Sequence, residues 1–266
     1  MDARTETDVA HVAAAIGDPS RAKVLLALAG GGALPASALA AEAGVSNSTI
    51  SGHLARLLDA RLLTVELDGR HRYYRLATTD VARALEQLAL IARPLPVRSL
   101  NADTRAKALL RARLCYDHLA GRLGVAVMSA LQEREILAAE RPGSGGGSLD
   151  ADADADADAG SGSGSGGTGA GSLDVAYVLT PHGRQELAAF GVETDRLPRR
   201  RASVRYCVDW AEQRHHLAGA LGAALTARLF GLEWLRHGKY RRVVHLTDAG
   251  REGLATTFGV RGDQVE

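Results

Sequence analysis

The chain has 266 residues, of which 46% are hydrophobic and only 4% aromatic, with a formal charge of +1 at pH 7. That length suits two packed cores, and no run approaches the ~18–20 uninterrupted apolar residues of a membrane span. Two cysteines exclude a disulfide framework, and with the polar start MDARTETDVA they point to the cytoplasm rather than to secretion.

The first elements read as helices. Val9, Val12, Ala13 and Ile16 follow helical spacing, and Gly17-Asp18-Pro19 ends that run. Pro19 suits the first turn of a second helix, whose Val24, Leu25 and Leu28 share a face before AGGGA stops it. A third helix is predicted from about Pro35 to Ala43, with Gly44 as the turn and Ser46 or Asn47 as the cap of a fourth. On the fourth, Ile50, Leu54 and Leu57 line one face, while Ser48, Thr49, Ser51, Gly52, His53 and Arg56 present a small, polar and basic surface. Two short helices joined by a glycine turn, the second split in this way, form a helix-turn-helix pattern. LLTVELDGRHRYYRL then alternates about Asp68-Gly69, a hairpin signal, and carries Arg70, His71 and Arg72 just past its turn. A last helix from about Thr79 to Ala92 shows a stripe of Val81, Leu85 and Leu88, and Pro94 and Pro96 close the unit near residue 98.

DPSRAKVLLAL, VSNSTISGHLARLLDARLL and DGRHRYYRL together resemble the winged helix-turn-helix domain of the arsenical-resistance (ArsR) family of bacterial repressors, over roughly residues 8–92. The resemblance implies a homodimer formed through the first and last helices, with paired recognition helices in successive major grooves of promoter DNA. Arg61 stands where the family usually has glycine. Chemistry supports the same surface. Ser46, Asn47, Ser48, Thr49, Ser51 and His53 suit hydrogen bonds to bases or phosphates, and Arg56, Arg70, His71 and Arg72 suit phosphates and the wing contact. The family's metal positions are not filled here: the third and fourth helices contain no cysteine and the last no histidine, so no metal is expected there. No cofactor is required by this reading.

Beyond residue 104 the chain resembles itself. RLCYDHLAGRLG at 113–124 recurs as RYCVDWAEQRHHLAGALG at 205–222, with six residues inserted after the aspartate, and VLTPHGRQELAAFGV is echoed by HLTDAGREGLATTFGV. The expected organisation is a DNA-binding domain over residues 1–98, followed by two reduced winged-helix-like repeats, 104–192 and 200–266. The whole is mostly α with small β-hairpin wings, an α+β chain. Each repeat is read as a long helix, a hairpin and a closing helix, the last starting at Thr180 or Thr247. The Gly-, Ser- and Asp-rich stretch 141–174 interrupts the first repeat and reads as an unstructured linker. Arg236, His237, Lys239, Arg241 and Arg242 form a basic hairpin tip, read first as a solvated surface and second as a DNA contact.

Cys115 and His118 are three apart and would share a face of a helix, beside Asp117. Cys207 and His216 are nine apart, so a continuous helix would separate them. A site shared between the repeats draws on Cys115, Asp117, His118, Cys207, Asp209, His215 and His216. Three readings stay open: packing cysteines, which is the first choice, a metal or small-molecule effector site, or a redox-sensing thiol pair. A thiol-dependent enzyme is set aside because no oxyanion loop or nucleophile motif accompanies the cysteines. The expected function is therefore a promoter-binding regulator, with an effector-independent architectural DNA binder as the alternative.

Overall fold

The structure, a computed structural model, describes residues 7–94, 96, 99–140, 175–198 and 201–265. The stretch 141–174, expected to be an unstructured linker, lies outside the described residues. No helix among those described is long and apolar enough to cross a membrane.

Helices α1 (Val9–Ile16) and α2 (Pro19–Leu28) are joined by a corner that the DPSR sequence builds itself. Asp18 caps α2 by accepting the backbone N–H groups of Ser20 and Arg21, each at 2.9 Å. The buried Arg21 side chain reaches back to α1, donating to the carbonyls of Ala15 (2.5 Å) and Ala14 (2.8 Å). This satisfies carbonyls that a helix end otherwise leaves without partners. Helix α3 (Ala36–Ala43) ends at Gly44, whose φ of +73° makes the turn into α4 (Asn47–Asp59). Ile50, Leu54 and Leu57 of α4 are buried against Val24, Leu25, Leu28 and Leu39.

Strands β1 (Leu34–Pro35), β2 (Leu63–Asp68) and β3 (His71–Leu76) form an antiparallel sheet in the order β1-β3-β2. The wing's turn is Gly69-Arg70, one residue later than expected, because Asp68 still pairs with His71. Gly69, with φ of +58°, supplies the first position of a tight hairpin turn. Helix α5 (Thr79–Ile91) buries Ala82, Leu85 and Glu86, whereas Leu88 is 44% exposed. The expected apolar stripe is thus only partly covered within one chain.

The C-terminal region departs from the helix expected at its start. After α6 (Leu100–Arg111), residues 113–120 form a hairpin, β4 (Arg113–Cys115) and β5 (His118–Ala120). It leads into α7 (Gly121–Glu133), β6 (Leu137–Glu140), β7 (Ala176–Leu179) and α8 (Pro181–Ala189). The same order follows in β8 (Arg205–Val208), β9 (His215–Ala218), α9 (Gly219–Gly231), β10 (Leu235–His237), β11 (Val244–Leu246) and α10 (Asp248–Phe258). Gly121 and Gly219, with φ of +76° and +80°, turn each hairpin into its helix, a conformation in which an L side chain is strained. Helix α7 lies against β9 and α9 against β5, so both halves share one core that includes Leu123, Leu131, Leu217, Leu221 and Leu229.

Three helix-to-strand junctions are built alike. The N–H groups of Leu62, Ile136 and Trp234 bond to the carbonyls of Leu57, Leu131 and Leu229 at 2.9, 2.9 and 3.0 Å. The residues just before them, Arg61, Glu135 and Glu233, have φ of +54°, +55° and +56°. This six-to-one bond across a left-handed residue closes a helix C-terminus. Thr180 and Thr247 donate to the carbonyls of Glu135 (2.7 Å) and Glu233 (3.0 Å) and cap α8 and α10 through Gly183 and Gly250. A Cβ at Gly250 would lie 2.2 Å from the Trp234 carbonyl oxygen.

One buried ionic network ties the winged unit to both halves. Arg113, fully buried, donates to Asp209 (2.9 Å) and Glu86 (3.5 Å) and lies over the Trp210 ring. Glu86, on α5, also accepts from Arg242, whose Nε donates to the Leu114 carbonyl at 2.9 Å. Beside it Tyr116 N–H bonds to the Ala29 carbonyl at 2.6 Å, docking the tip of the β4–β5 hairpin on the end of α2.

Three substitutions test this packing, each read by urea unfolding of the full chain. Gly250→Ala is expected to cost about 3 kcal/mol, because the new methyl must displace backbone. Gly52→Ala, in open space on α4, is expected to gain about 0.5–1 kcal/mol from helix propensity. Arg113→Ala leaves Glu86 and Asp209 buried without their cation and should cost roughly 3–5 kcal/mol; a loss below 1 kcal/mol would contradict the role given to this network.

Candidate functional site

Helix α4 and the wing present the surface expected to meet DNA. Ser46 caps α4, accepting the Thr49 N–H at 3.2 Å, and its hydroxyl lies 2.8 Å from those of both Ser48 and Thr49. Ser51 bonds to the Asn47 carbonyl at 3.3 Å. These hydroxyls are exposed and joined to one another by bonds that water or a phosphate oxygen can replace. Arg56, Arg70, His71 and Arg72 are also exposed and enter no ion pair among the described residues, whereas Arg75 is paired with Glu66 at 2.9 Å. His53 is set apart from this group. Its side chain is 15% exposed and turned inward, with Nδ1 3.7 Å from the Asp18 carboxylate.

The basic tip expected on the β10–β11 hairpin is a solvated surface at Arg236, His237 and Lys239 but not throughout. Arg241 pairs with Glu42 at 3.0 Å and Arg242 is drawn inward to Glu86. Their charges are neutralised within the chain, and of the rest of the tip Arg236 lies 3.7 Å from the Glu233 carboxylate.

The cysteine-bearing segments are hairpins rather than helices, which reverses the expectation that Cys207 and His216 lie apart. Cys115 and His118 are direct cross-strand partners, and so are Cys207 and His216. The six extra residues of the second segment enlarge the turn and leave the pairing unchanged. The two hairpins face each other, and one ligand atom from each of Cys115, His118, Cys207 and His216 lies within 4.8 Å of all the others. All four side chains are buried.

Each histidine has an aspartate beside it, and each aspartate is held by an arginine. Asp117 Oδ1 lies 3.3 Å from His118 Nδ1, and both its oxygens are taken by Arg201. Burial raises the Asp117 carboxyl, but the bonds from His118 and Arg201 outweigh it and hold it at about 2. Asp209 accepts Arg113 and the N–H groups of Gly121 (2.6 Å), Ala211 (3.0 Å) and Glu212 (3.2 Å), with His216 Nδ1 3.7 Å away. His118 Nε2 and both nitrogens of His216 are buried without a hydrogen-bond partner. A lost partner of this kind costs about 1–3 kcal/mol per group. Burial, followed by the charges of His118, Arg113 and Arg242, holds the His216 imidazole well below its ordinary value, and so neutral. The Cys115 thiol is pushed up by the adjacent Cys207 sulfur and by burial, while Cys207 is lowered by the same contact.

His215 does not join the cluster. Its Nδ1 lies 2.7 Å from the Tyr177 hydroxyl and its ring stacks on Tyr206. The sequence reading missed Glu86 and Arg201, gave Arg242 to the hairpin tip and met Arg113 only as the start of the repeated motif. Only the repeated R-x-C-x-D pattern hinted that an arginine belongs with each cysteine and aspartate.

Comparison with known proteins bears on the winged unit and on the family. A family model described as a helix-turn-helix domain matches residues 16–66. An uncharacterized HTH-type transcriptional regulator, YdfF, of Bacillus subtilis (strain 168) is 36% identical over 255 residues, covering 96% of this chain and 98% of that protein. The HTH-type transcriptional regulator CmtR of Mycobacterium tuberculosis (strain ATCC 25618 / H37Rv) is 36% identical over 86 residues, 32% of this chain and 72% of that protein. Among solved structures, the homodimeric winged helix-turn-helix DNA-binding domain of Mb0332 from Mycobacterium bovis, a possible ArsR-family regulator, is 25% identical. That match covers 35% of this chain and 97% of that one, with a TM-score of 0.30. With a relative matched along nearly its entire length and a winged helix-turn-helix at its N-terminus, this chain belongs to the ArsR family of DNA-binding transcriptional regulators.

Proposed function

We propose that the protein is a dimeric, cytoplasmic repressor that reads promoter DNA with α4 and the wing, and that its C-terminal region adjusts this binding. The observation that carries the reading is the pairing state of the arginines. Arg56, Arg70 and Arg72 are exposed on the winged unit and enter no ion pair among the described residues, while Arg113, Arg241 and Arg242 are spent on carboxylates inside the chain. Unpaired arginines release counterions when they meet phosphates, which is the largest general source of affinity for DNA. The hydroxyls of Ser46, Ser48, Thr49 and Ser51, with the Asn47 amide, supply the short-range hydrogen bonds of base or phosphate readout.

Dimerisation is supported by apolar groups that one chain leaves open. Val9 on α1 is 69% exposed, and Leu88 and Ile91 on α5 are 44% and 81% exposed. These are the helices through which the family resemblance implies pairing. The C-terminal halves, read as tandem copies over 104–192 and 200–266, share an element order and the left-handed junction that also leads from α4 into the wing. Their influence on DNA binding is supported by two contacts, Arg113 and Arg242 on Glu86 of α5 and Tyr116 on Ala29 of α2.

Fluorescence anisotropy with duplex from the protein's own upstream region tests the DNA surface. Arg56→Ala and Arg72→Ala should each weaken binding and lower the salt slope by about one; unchanged affinity in both at fixed salt would remove this docking. A slope that stays steep on unrelated duplex, with equal affinity, would favour an architectural binder instead. Ile91→Glu should shift sedimenting protein from dimer to monomer, and an unchanged dimer would place the interface elsewhere.

A further inference from the structure

We propose that Cys115, His118, Cys207 and His216 form a four-coordinate site for a divalent cation of borderline or soft character, of the Zn²⁺ or Cd²⁺ class. The site lies outside the winged unit, between the β4–β5 and β8–β9 hairpins. Its assignment stands on its own geometry. Only its consequence for DNA binding rests on the function proposed above.

The donor atoms already lie within 4.8 Å of one another. Bond lengths of about 2.3 Å to sulfur and 2.0–2.1 Å to nitrogen imply tetrahedron edges of roughly 3.3–3.8 Å. Closing onto an ion therefore asks for a contraction of about 1 Å shared between two hairpins. Two thiolates balance the charge of a divalent ion, so the loaded site is neutral where it is buried. Sulfur and imidazole donors with no carboxylate among them select against Mg²⁺ and Ca²⁺, which take oxygen.

The unpartnered ring nitrogens separate this reading from packing or a simple thiol pair. A cysteine pair that only packs, or only oxidises, gives no use to the nitrogens of His216, which are buried and without a hydrogen-bond partner among the described residues. With Nδ1 of His118 against Asp117, Nε2 is the nitrogen left to face an ion once its proton is displaced. Asp117, fixed by Arg201 and 3.3 Å from His118 Nδ1, matches the carboxylate-behind-histidine support that metal ligands receive, and Asp209, fixed by Arg113, stands 3.7 Å behind His216 Nδ1, outside hydrogen-bond distance. An entry path is present as well. A cleft of about 190 Å³ reaches Cys115, His118 and Cys207 between Arg83 on α5 and Arg201.

Ligation joins the two hairpins, and one of them is bonded on one side of its cysteine to the winged unit and on the other to Arg242, whose side chain reaches that unit at Glu86. Leu114 N–H bonds to the Arg242 carbonyl at 2.8 Å, and Tyr116 N–H to Ala29. Drawing Cys115 toward Cys207 therefore pulls on α2 and on the Glu86 contact of α5. Binding of the ion is expected to change DNA affinity at least about fivefold, the lower end of ordinary allosteric coupling.

The test is a titration of reduced, demetallated full-length protein with Cd²⁺ alone under anaerobic conditions, following the thiolate-to-cadmium ultraviolet band. The band should saturate at one ion per chain, and cadmium NMR of the wild type should report two sulfurs and two nitrogens. Cys115→Ser and Cys207→Ser should each remove about half the band, as one of two thiolates is lost. Asp117→Asn should keep the band while affinity falls roughly 10–100-fold, and His215→Gln should change neither. No band in the wild type or an oxygen-rich NMR signature overturns the site without requiring any variant to fold well. A Cys115–Cys207 disulfide that forms in air no more slowly with cadmium present also overturns it. Specific DNA binding without cadmium uptake removes the site and keeps the regulator. Cadmium uptake with the expected donors but no DNA binding in either state keeps the site and removes the proposed function.

Discussion

A single buried guanidinium holds this molecule together. Arg113 is placed where water cannot reach it, and two carboxylates and an indole ring compensate it. Removing a cation from water is expensive, and such a pair contributes little net stability over apolar packing. What it supplies instead is placement: Glu86 comes from the winged unit, Asp209 from the last third of the chain and Arg113 from between them. An apolar contact tolerates sliding, whereas a charge without its partner does not. The relative position of α5 and the two cysteine hairpins is therefore fixed to within a hydrogen bond.

The cluster of two cysteines and two histidines depends on that placement. Each Cys–His pair is set by strand register alone, and a slip of one residue would turn the cysteine to the opposite face. Bringing the pairs together requires the hairpins to face each other, which α7 against β9 and α9 against β5 enforce. Asp209 shows how closely the parts are linked, since it caps the loop at Ala211 and Glu212, holds Gly121 N–H at the start of α7 and anchors Arg113. Change at one of these groups is felt by the others.

The winged unit was legible in the sequence because its signals are local. Caps, glycine turns and helical periodicity lie within a few residues of the elements they specify, and Asp18, Gly44 and Ser46 act as their types suggest. The C-terminal hairpins were not legible, since three-residue strands such as Arg113–Cys115 are too short to show alternation and RLCYDHLAG continues into a true helix. Duplicated motifs drew attention to the cysteines and histidines that the structure brings together, with His215 besides, yet the assumption of a helix separated Cys207 from His216. The ionic network was beyond reach for another reason. Its partners are 27, 96 and 156 residues apart, and nothing near Glu86 or Arg242 marks either as buried.

The junctions after α4, α7 and α9 bear on how the protein could be made more robust. Each places a charged residue in the left-handed region, Arg61, Glu135 and Glu233, at a cost of roughly 1–2 kcal/mol. Against a typical folding margin of about 5–15 kcal/mol, three such positions hold a sizeable reserve. None of the three belongs to the proposed DNA-reading set or to the Cys–His cluster. They are natural points for an engineer to introduce asparagine or glycine, raising thermal tolerance while leaving those two surfaces as they are.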